Sequence, residues 1–194
     1  MNKKLQLLAG LLISSSILSA CGALIVGGVA AGATSGAAVA SDPRSSSGVF
    51  DDQGLRSKVK DAIDATIPGN NIEVTSYSQK VLLTGQVISN SNRAKAESIT
   101  NQVPTVKQIY NYITVGASQS ASQTSKDAYL TSVVKSNLLF SKGVSSNDVK
   151  VVTSNGVVYL LGLVDPYQAK KMVKAASEVS DVKKVVSLFD YVSE

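Results

Sequence analysis

The chain has 194 residues, one Cys, no His and no Trp, with 17% charged residues and a net charge of +5. A lone Cys forms no internal disulfide, and without His the commonest general base and metal ligand are missing. The balance of apolar and charged residues gives no sign of a disordered polyelectrolyte or a dedicated nucleic-acid binder, and the length allows one ordinary domain or two small ones.

Residues 1–20 read as a targeting segment. Lys3 and Lys4 supply a positive start and Leu5 to Leu18 a short apolar stretch, too short for a stable membrane span. The segment ends at Leu18-Ser19-Ala20-Cys21, which resembles the lipobox of bacterial lipoproteins. That resemblance implies acylation of Cys21. Gly22 follows where an Asp would mark inner-membrane retention in enterobacteria, so the implied destination is the outer membrane. Loss of Lys3 and Lys4 with the signal leaves a net charge of +3.

Residues 21–50 read as an acylated tether rich in Gly and Ala. Gly28, Gly32 and Gly36 stand four apart, a spacing that also suits close helix association. A flexible tether and a membrane-associated helix both remain open. Asp42-Pro43 and Ser45-Ser46-Ser47 continue the segment.

From residue 51 an internal repeat begins. The first unit, 51–115, opens with a helix whose Leu55, Val59, Ala62 and Ile63 share a face, with Asp51 or Asp52 expected to cap it. Pro68-Gly69 ends it. Strands are expected over 72–77 and 80–87 with Ser78-Gln79 in the turn, then a helix over 92–102 and a strand over 106–115. Residues 116–125, rich in Ser, Gln and Ala, read as a linker.

The second unit, 126–194, repeats the order. Leu130, Val134 and Leu138 stand where Leu55, Val59 and Ile63 stood. A hairpin over 149–153 and 157–164 turns at Asn155-Gly156, Asp165-Pro166 opens the next helix, and a strand covers 182–192. Gly85 recurs as Gly162, both read as structural glycines, and Val103-x-x-Val106 recurs as Val179-x-x-Val182.

This α-β-β-α-β order, with Gly late in the second strand and Val-x-x-Val before the third, resembles the BON domain. Two copies behind a lipobox resemble the dual-BON outer-membrane lipoproteins. The words that carry the likeness are Asp42-Pro43-Arg44, Val74-Thr75-Ser76-Tyr77, Lys80-Val81-Leu82-Leu83-Thr84-Gly85-Gln86, and Asn155-Gly156 leading to Leu161-Gly162-Leu163-Val164. The resemblance implies an α+β fold of two tandem domains, each a three-stranded mixed sheet covered by two helices. It also implies a periplasm-facing protein that binds anionic phospholipid through the first helix of its second domain and supports envelope integrity. Tyr129 and Asp181 depart from the family's usual Trp and Gly.

The repeat supplies an internal control on that helix. Gly54, Lys58, Asp64 and Ala65 of the first unit become Tyr129, Val133, Leu139 and Phe140 of the second. A soluble face in one copy is apolar in the other, beside Lys126, Lys135 and Lys142. Rings and aliphatics flanked by ammonium groups suit a lipid interface, so Tyr129, Val133, Lys135, Leu139, Phe140 and Lys142 form the candidate lipid-binding set. Packing of Tyr129, Val133 and Phe140 against the other domain is the alternative. A second alternative is an adaptor that docks envelope-assembly, division-site or peptidoglycan-remodelling proteins.

No catalytic apparatus, cofactor or metal site is expected: no Ser-Lys motif stands out, carboxylates are scattered, and the Gly-rich 27–36 lacks a P-loop ending. Lys170, Lys171, Lys174, Lys183 and Lys184 form a basic cluster that reads either as a solvated face or as a secondary phosphate-contact surface.

Overall fold

The computed structural model describes residues 46–192; the signal, Cys21 and the tether through residue 45 lie outside the described residues. The first repeat comprises α1 (Ser46–Thr66), β1 (Asn71–Tyr77), β2 (Lys80–Val87), α2 (Asn90–Asn101), β3 (Gln108–Asn111) and β4 (Thr114–Val115). The second comprises α3 (Ala121–Phe140), β5 (Val149–Ser154), β6 (Val157–Val164), α4 (Pro166–Ser177) and β7 (Lys184–Tyr191), with a single 3-10 turn (Ser146–Asp148) before β5. The α+β fold expected from the repeat is present in both copies. Each has an antiparallel hairpin extended by a parallel strand and covered by two helices.

Helix α1 buries Leu55, Val59 and Ile63, spaced four apart on one side, with Ile67 buried just past its end, and α3 buries Leu130, Val134 and Leu138 in the same way. They meet Val74, Val81 and Leu83 in one repeat and Val151, Val158 and Leu160 in the other.

The expected cap at Asp51 or Asp52 is corrected. Because α1 begins at Ser46, both residues lie inside it. Asp51 is exposed, whereas Asp52, 4% exposed, points at the β1–β2 turn. Its carboxylate accepts from Ser76 Oγ at 2.8 Å, Ser78 N at 2.6 Å and Gln79 N at 2.8 Å. Ser78 and Gln79 have φ of 51° and 64°, the geometry of a tight hairpin turn in which both central residues are left-handed. The acid supplies a partner for the inward backbone N–H groups, so it ties helix to hairpin. Asp127 in α3 does the same at the second turn, accepting from Asn155 N at 2.7 Å and Gly156 N at 2.9 Å.

Two boundaries also move. The strand expected over 106–115 is split into β3 and β4, with the gap opposite Thr84-Gly85, where Gly85 adopts φ +102° and rotates the β2 backbone. In the second repeat β7 runs unbroken along β6. Finally, α3 absorbs residues 121–125 of the expected linker, because Ser120 caps it by accepting from Gln123 N. Asp165 caps α4 ahead of Pro166, as its sequence signals.

The two glycines shared by the repeats, Gly85 and Gly162, sit where strands approach closely. A Cβ on Gly85 would stand 1.9 Å from Asn71 O, and one on Gly162 2.3 Å from Asp148 O. Neither place admits a side chain.

The sheets are buried on both faces. Away from the helices, Tyr77 and Leu82 of one sheet meet Tyr159, Leu161 and Leu188 of the other. The layer order is therefore α1/α2, first sheet, second sheet, α3/α4. Tyr112 and Tyr159 meet at the seam as a tilted ring pair with centroids 5.0 Å apart. Lys80 pairs with Asp190, and Lys150 Nζ donates to Ser76 O at 3.1 Å. Burial, and secondarily Tyr112, pushes the Tyr159 hydroxyl up to about 12.

Candidate functional site

Two hydrogen bonds fix the roll of α3. On one flank Thr131 Oγ1 donates to Thr153 Oγ1 of β5 at 2.7 Å; on the other Asn137 Nδ2 donates to Ala175 O of α4 at 2.7 Å. With Leu130, Val134 and Leu138 facing the sheet, Tyr129 (72% exposed), Leu139 (62%) and Phe140 (83%) face solvent. Lys135 and Lys142 are exposed with them. Val133 differs: it is half-buried and packs on the domain core, so it floors the patch and does not project from it. At 1.5 Å rise per residue the rings of Tyr129 and Phe140 are separated by about 16 Å along the axis.

The alternative in which these residues pack against the other domain does not describe this structure. The contact between repeats is made by the far faces of the sheets, and α3 lies in the outer layer.

The matching place in the first repeat is an ion pair. Lys60 Nζ donates to Asp64 Oδ1 at 2.6 Å and Asn70 Nδ2 to the same oxygen at 2.9 Å. Partial burial would raise the Asp64 carboxyl, but the bonds from Lys60 and Asn70 and the Lys60 charge outweigh it and hold it below its ordinary value. Lys135 repeats Lys60, yet Leu139 stands where the acid stood. An i,i+4 salt bridge has become a cation beside an isobutyl group.

A cavity of about 400 Å³ adjoins the patch, between α3 and the turn that follows α4. Leu130, Val133 and Val179 give it apolar walls, and Lys126, Asp181 and Lys183 stand at it with Tyr129. Asp181 holds φ of 69°, a left-handed conformation that Gly adopts more readily. Helical periodicity finds Tyr129 and Leu139 but not Val179 or Lys183, which reach the groove only because the chain returns past α3 after α4. The Val-x-x-Val repeat marks that return without saying what it borders.

The site offers rings, aliphatic groups and ammonium groups, the chemistry of a surface that is part apolar and part cationic. Among the described residues no three His, Cys, Asp or Glu side chains are grouped to hold a metal ion, and no helix is long and apolar enough to cross a membrane.

The BON domain model matches residues 51–117 and again 126–193. The chain is 39% identical over 192 residues to Outer membrane lipoprotein DolP of Haemophilus influenzae, spanning 97% of this chain and 96% of that one. It is 36% identical over 154 residues to a 21 kDa hemolysin of Actinobacillus pleuropneumoniae, spanning 78% and 79%. Identity to Osmotically-inducible protein Y of Escherichia coli is 31% over 142 residues, spanning 69% and 71%.

Proposed function

The chain belongs to the BON domain family, and on that premise we propose that it is a non-enzymatic outer-membrane lipoprotein that binds anionic phospholipid through α3. Acylation at Cys21 anchors it, its two domains face the periplasm, and its binding supports envelope integrity. Near full-length identity to an outer-membrane lipoprotein supports the anchor and the location.

The observation that carries the lipid reading is the exposure of Tyr129, Leu139 and Phe140 on a helix whose sister copy carries Gly54, Asp64 and Ala65 at the same places. The fold does not need them. Large rings and an isobutyl group held in water beside Lys126, Lys135 and Lys142 gain by entering an acyl boundary while the ammonium groups meet phosphates. The groove beside Tyr129 gives an apolar recess next to the same surface.

Tyr129→Glu and Leu139→Glu test it. Each puts a carboxylate into the acyl boundary without touching the core, so circular dichroism and melting stay native. Binding to anionic micelles is expected to fall tenfold or more, about 1.4 kcal/mol. Wild-type affinity in both variants would overturn the reading. Absence of micelle binding by the unaltered protein would favour the adaptor, in which the same face docks an envelope-assembly or division-site protein.

A further inference from the structure

Helix α4 differs from its sister copy in the same way that α3 does. The second helices align by their N-caps, Ser89 and Asp165, and by buried residues, Ala96 with Met172 and Thr100 with Ala176. On that alignment Ser91, Ala94 and Ser98 of α2 become Tyr167, Lys170 and Lys174 of α4. Tyr167 is 64% exposed and both lysines are exposed, so none of the three changes serves the core.

These residues border α3. The bond from Asn137 to Ala175 O and the bond from Lys171 Nζ to Lys142 O at 3.0 Å make the two helices antiparallel neighbours. Lys171 Nζ also stands 4.3 Å from the centre of the Tyr167 ring. Tyr167, Lys171 and Lys174 recur at i, i+4 and i+7, hence on the side of α4 that meets the end of α3. Phe140 shares a flank of α3 with Asn137, three residues away, and a Cβ on Gly143 would be 4.0 Å from the Tyr167 ring. Two exposed rings therefore stand at the same end of one crevice. The Lys171 bond itself is part of the fold, because Lys95 Nζ makes its counterpart to Thr66 O. What changes between copies is the ring and the added charge. Lys174 meets Glu178 at 3.8 Å, an exposed pair of the kind that contributes little and yields to a phosphate.

We propose that the lipid surface has two walls: α4 joins α3, with Tyr167 entering the headgroup–acyl boundary beside Phe140 and with Lys170 and Lys174 meeting phosphates of an anionic bilayer. This rests on the lipid reading of α3. The occupant is a bilayer, because two exposed rings beside cations need an apolar medium that a free anion does not supply.

The chain has no Trp, so a single introduced Trp reports its own surroundings. The experiment uses the chain from residue 21 onward with Cys21→Ala, carrying Phe140→Trp, Tyr167→Trp or Ser91→Trp singly. Vesicles of phosphatidylglycerol are compared with vesicles of phosphatidylcholine and with inorganic phosphate. Blue-shifted emission and quenching by brominated acyl chains are expected at 140 and 167 on phosphatidylglycerol, and not at 91. A response at 140 without one at 167 overturns the second wall and leaves the α3 reading standing; a response at neither overturns both. An equal response at 91, or one at 167 with inorganic phosphate, also overturns the proposal. As a second readout, Tyr167→Ser with Lys174→Ser, the residues of the first repeat, is expected to weaken phosphatidylglycerol binding about tenfold at unchanged melting temperature. Unchanged affinity overturns it.

Discussion

Asp52 and Asp127 occupy equivalent places in the two repeats and make the same bonds, each holding a left-handed hairpin turn against its own helix. Asp64 and Leu139 are equally equivalent in sequence and share no chemistry: one is a hydrogen-bonded carboxylate, the other an exposed isobutyl group. The two pairs separate what the fold requires from what one copy has acquired. Positions that keep their chemistry hold the hairpin, the core and the close strand approach at Gly85 and Gly162. On the outer layer of the second repeat, Gly54, Asp64, Ala65, Ser91, Ala94 and Ser98 of the first give way to rings, an isobutyl group and lysines.

The sharpest way to break this comparison is at the shared acids. Asp52→Ala and Asp127→Ala each leave turn N–H groups without their carboxylate, which should cost about 2–3 kcal/mol. Urea denaturation of the two variants should give losses of similar size. A large loss in only one would mean that the tie is not common to both repeats.

A smaller effect belongs to the seam. Tyr159 titrates at about 12 in the folded protein against an ordinary 10.0. A raised folded value means that the stability associated with the protonated ring is fully present below pH 10 and is lost as pH rises through about 12. The urea midpoint should therefore fall across that window, and less steeply in Tyr159→Phe. Equal slopes would show that the ring's ionisation does not govern the contact between repeats.

The smallest effect is expected at Asp64→Leu, which gives the first repeat the second one's residue. Its i,i+4 pair is partly exposed, so the loss at pH 7 should stay within about 0.5 kcal/mol. Because the folded value is depressed, that increment exists above the ordinary 3.8 and vanishes as pH falls through the lower folded value. Anionic micelle binding should not rise, since one leucine without the neighbouring rings makes no patch. A gain in binding comparable to the loss in Leu139→Glu would show that position matters more than the whole face.

Much of this was legible in the chain. The Leu55/Val59/Ile63 and Leu130/Val134/Leu138 trios are core because helical spacing admits one buried side, and the exposure of Tyr129, Leu139 and Phe140 follows from the same spacing. The cap expected at Asp51 or Asp52 failed because a capping Asp and an Asp that reaches a distant turn look alike locally; only its recurrence as Asp127, three residues before a core Leu each time, distinguishes them. The contact between sheets leaves its mark in the strands. In Val81-Leu82-Leu83 and Val157 to Leu161 alternation is lost, which is what a strand buried on both faces requires. The groove at Val179 and Lys183 was not legible, because it depends on tertiary return of the chain.

The back-to-back sheets also set a direction. With layers about 10 Å apart, a molecule resting on α3 and α4 holds α1 and α2 some 30 Å above the bilayer, turned toward the periplasm. The N-terminal segment must then climb that height to reach Ser46, the first residue of α1. Residues 21–45 number 25, and at 3.3–3.6 Å each a chain of that length spans at most about 90 Å when fully extended. An anchor at Cys21 and a bilayer-facing α3 are thus compatible in one molecule on one leaflet, and a segment cut to fewer than about nine residues would be too short to cross that height even when fully extended.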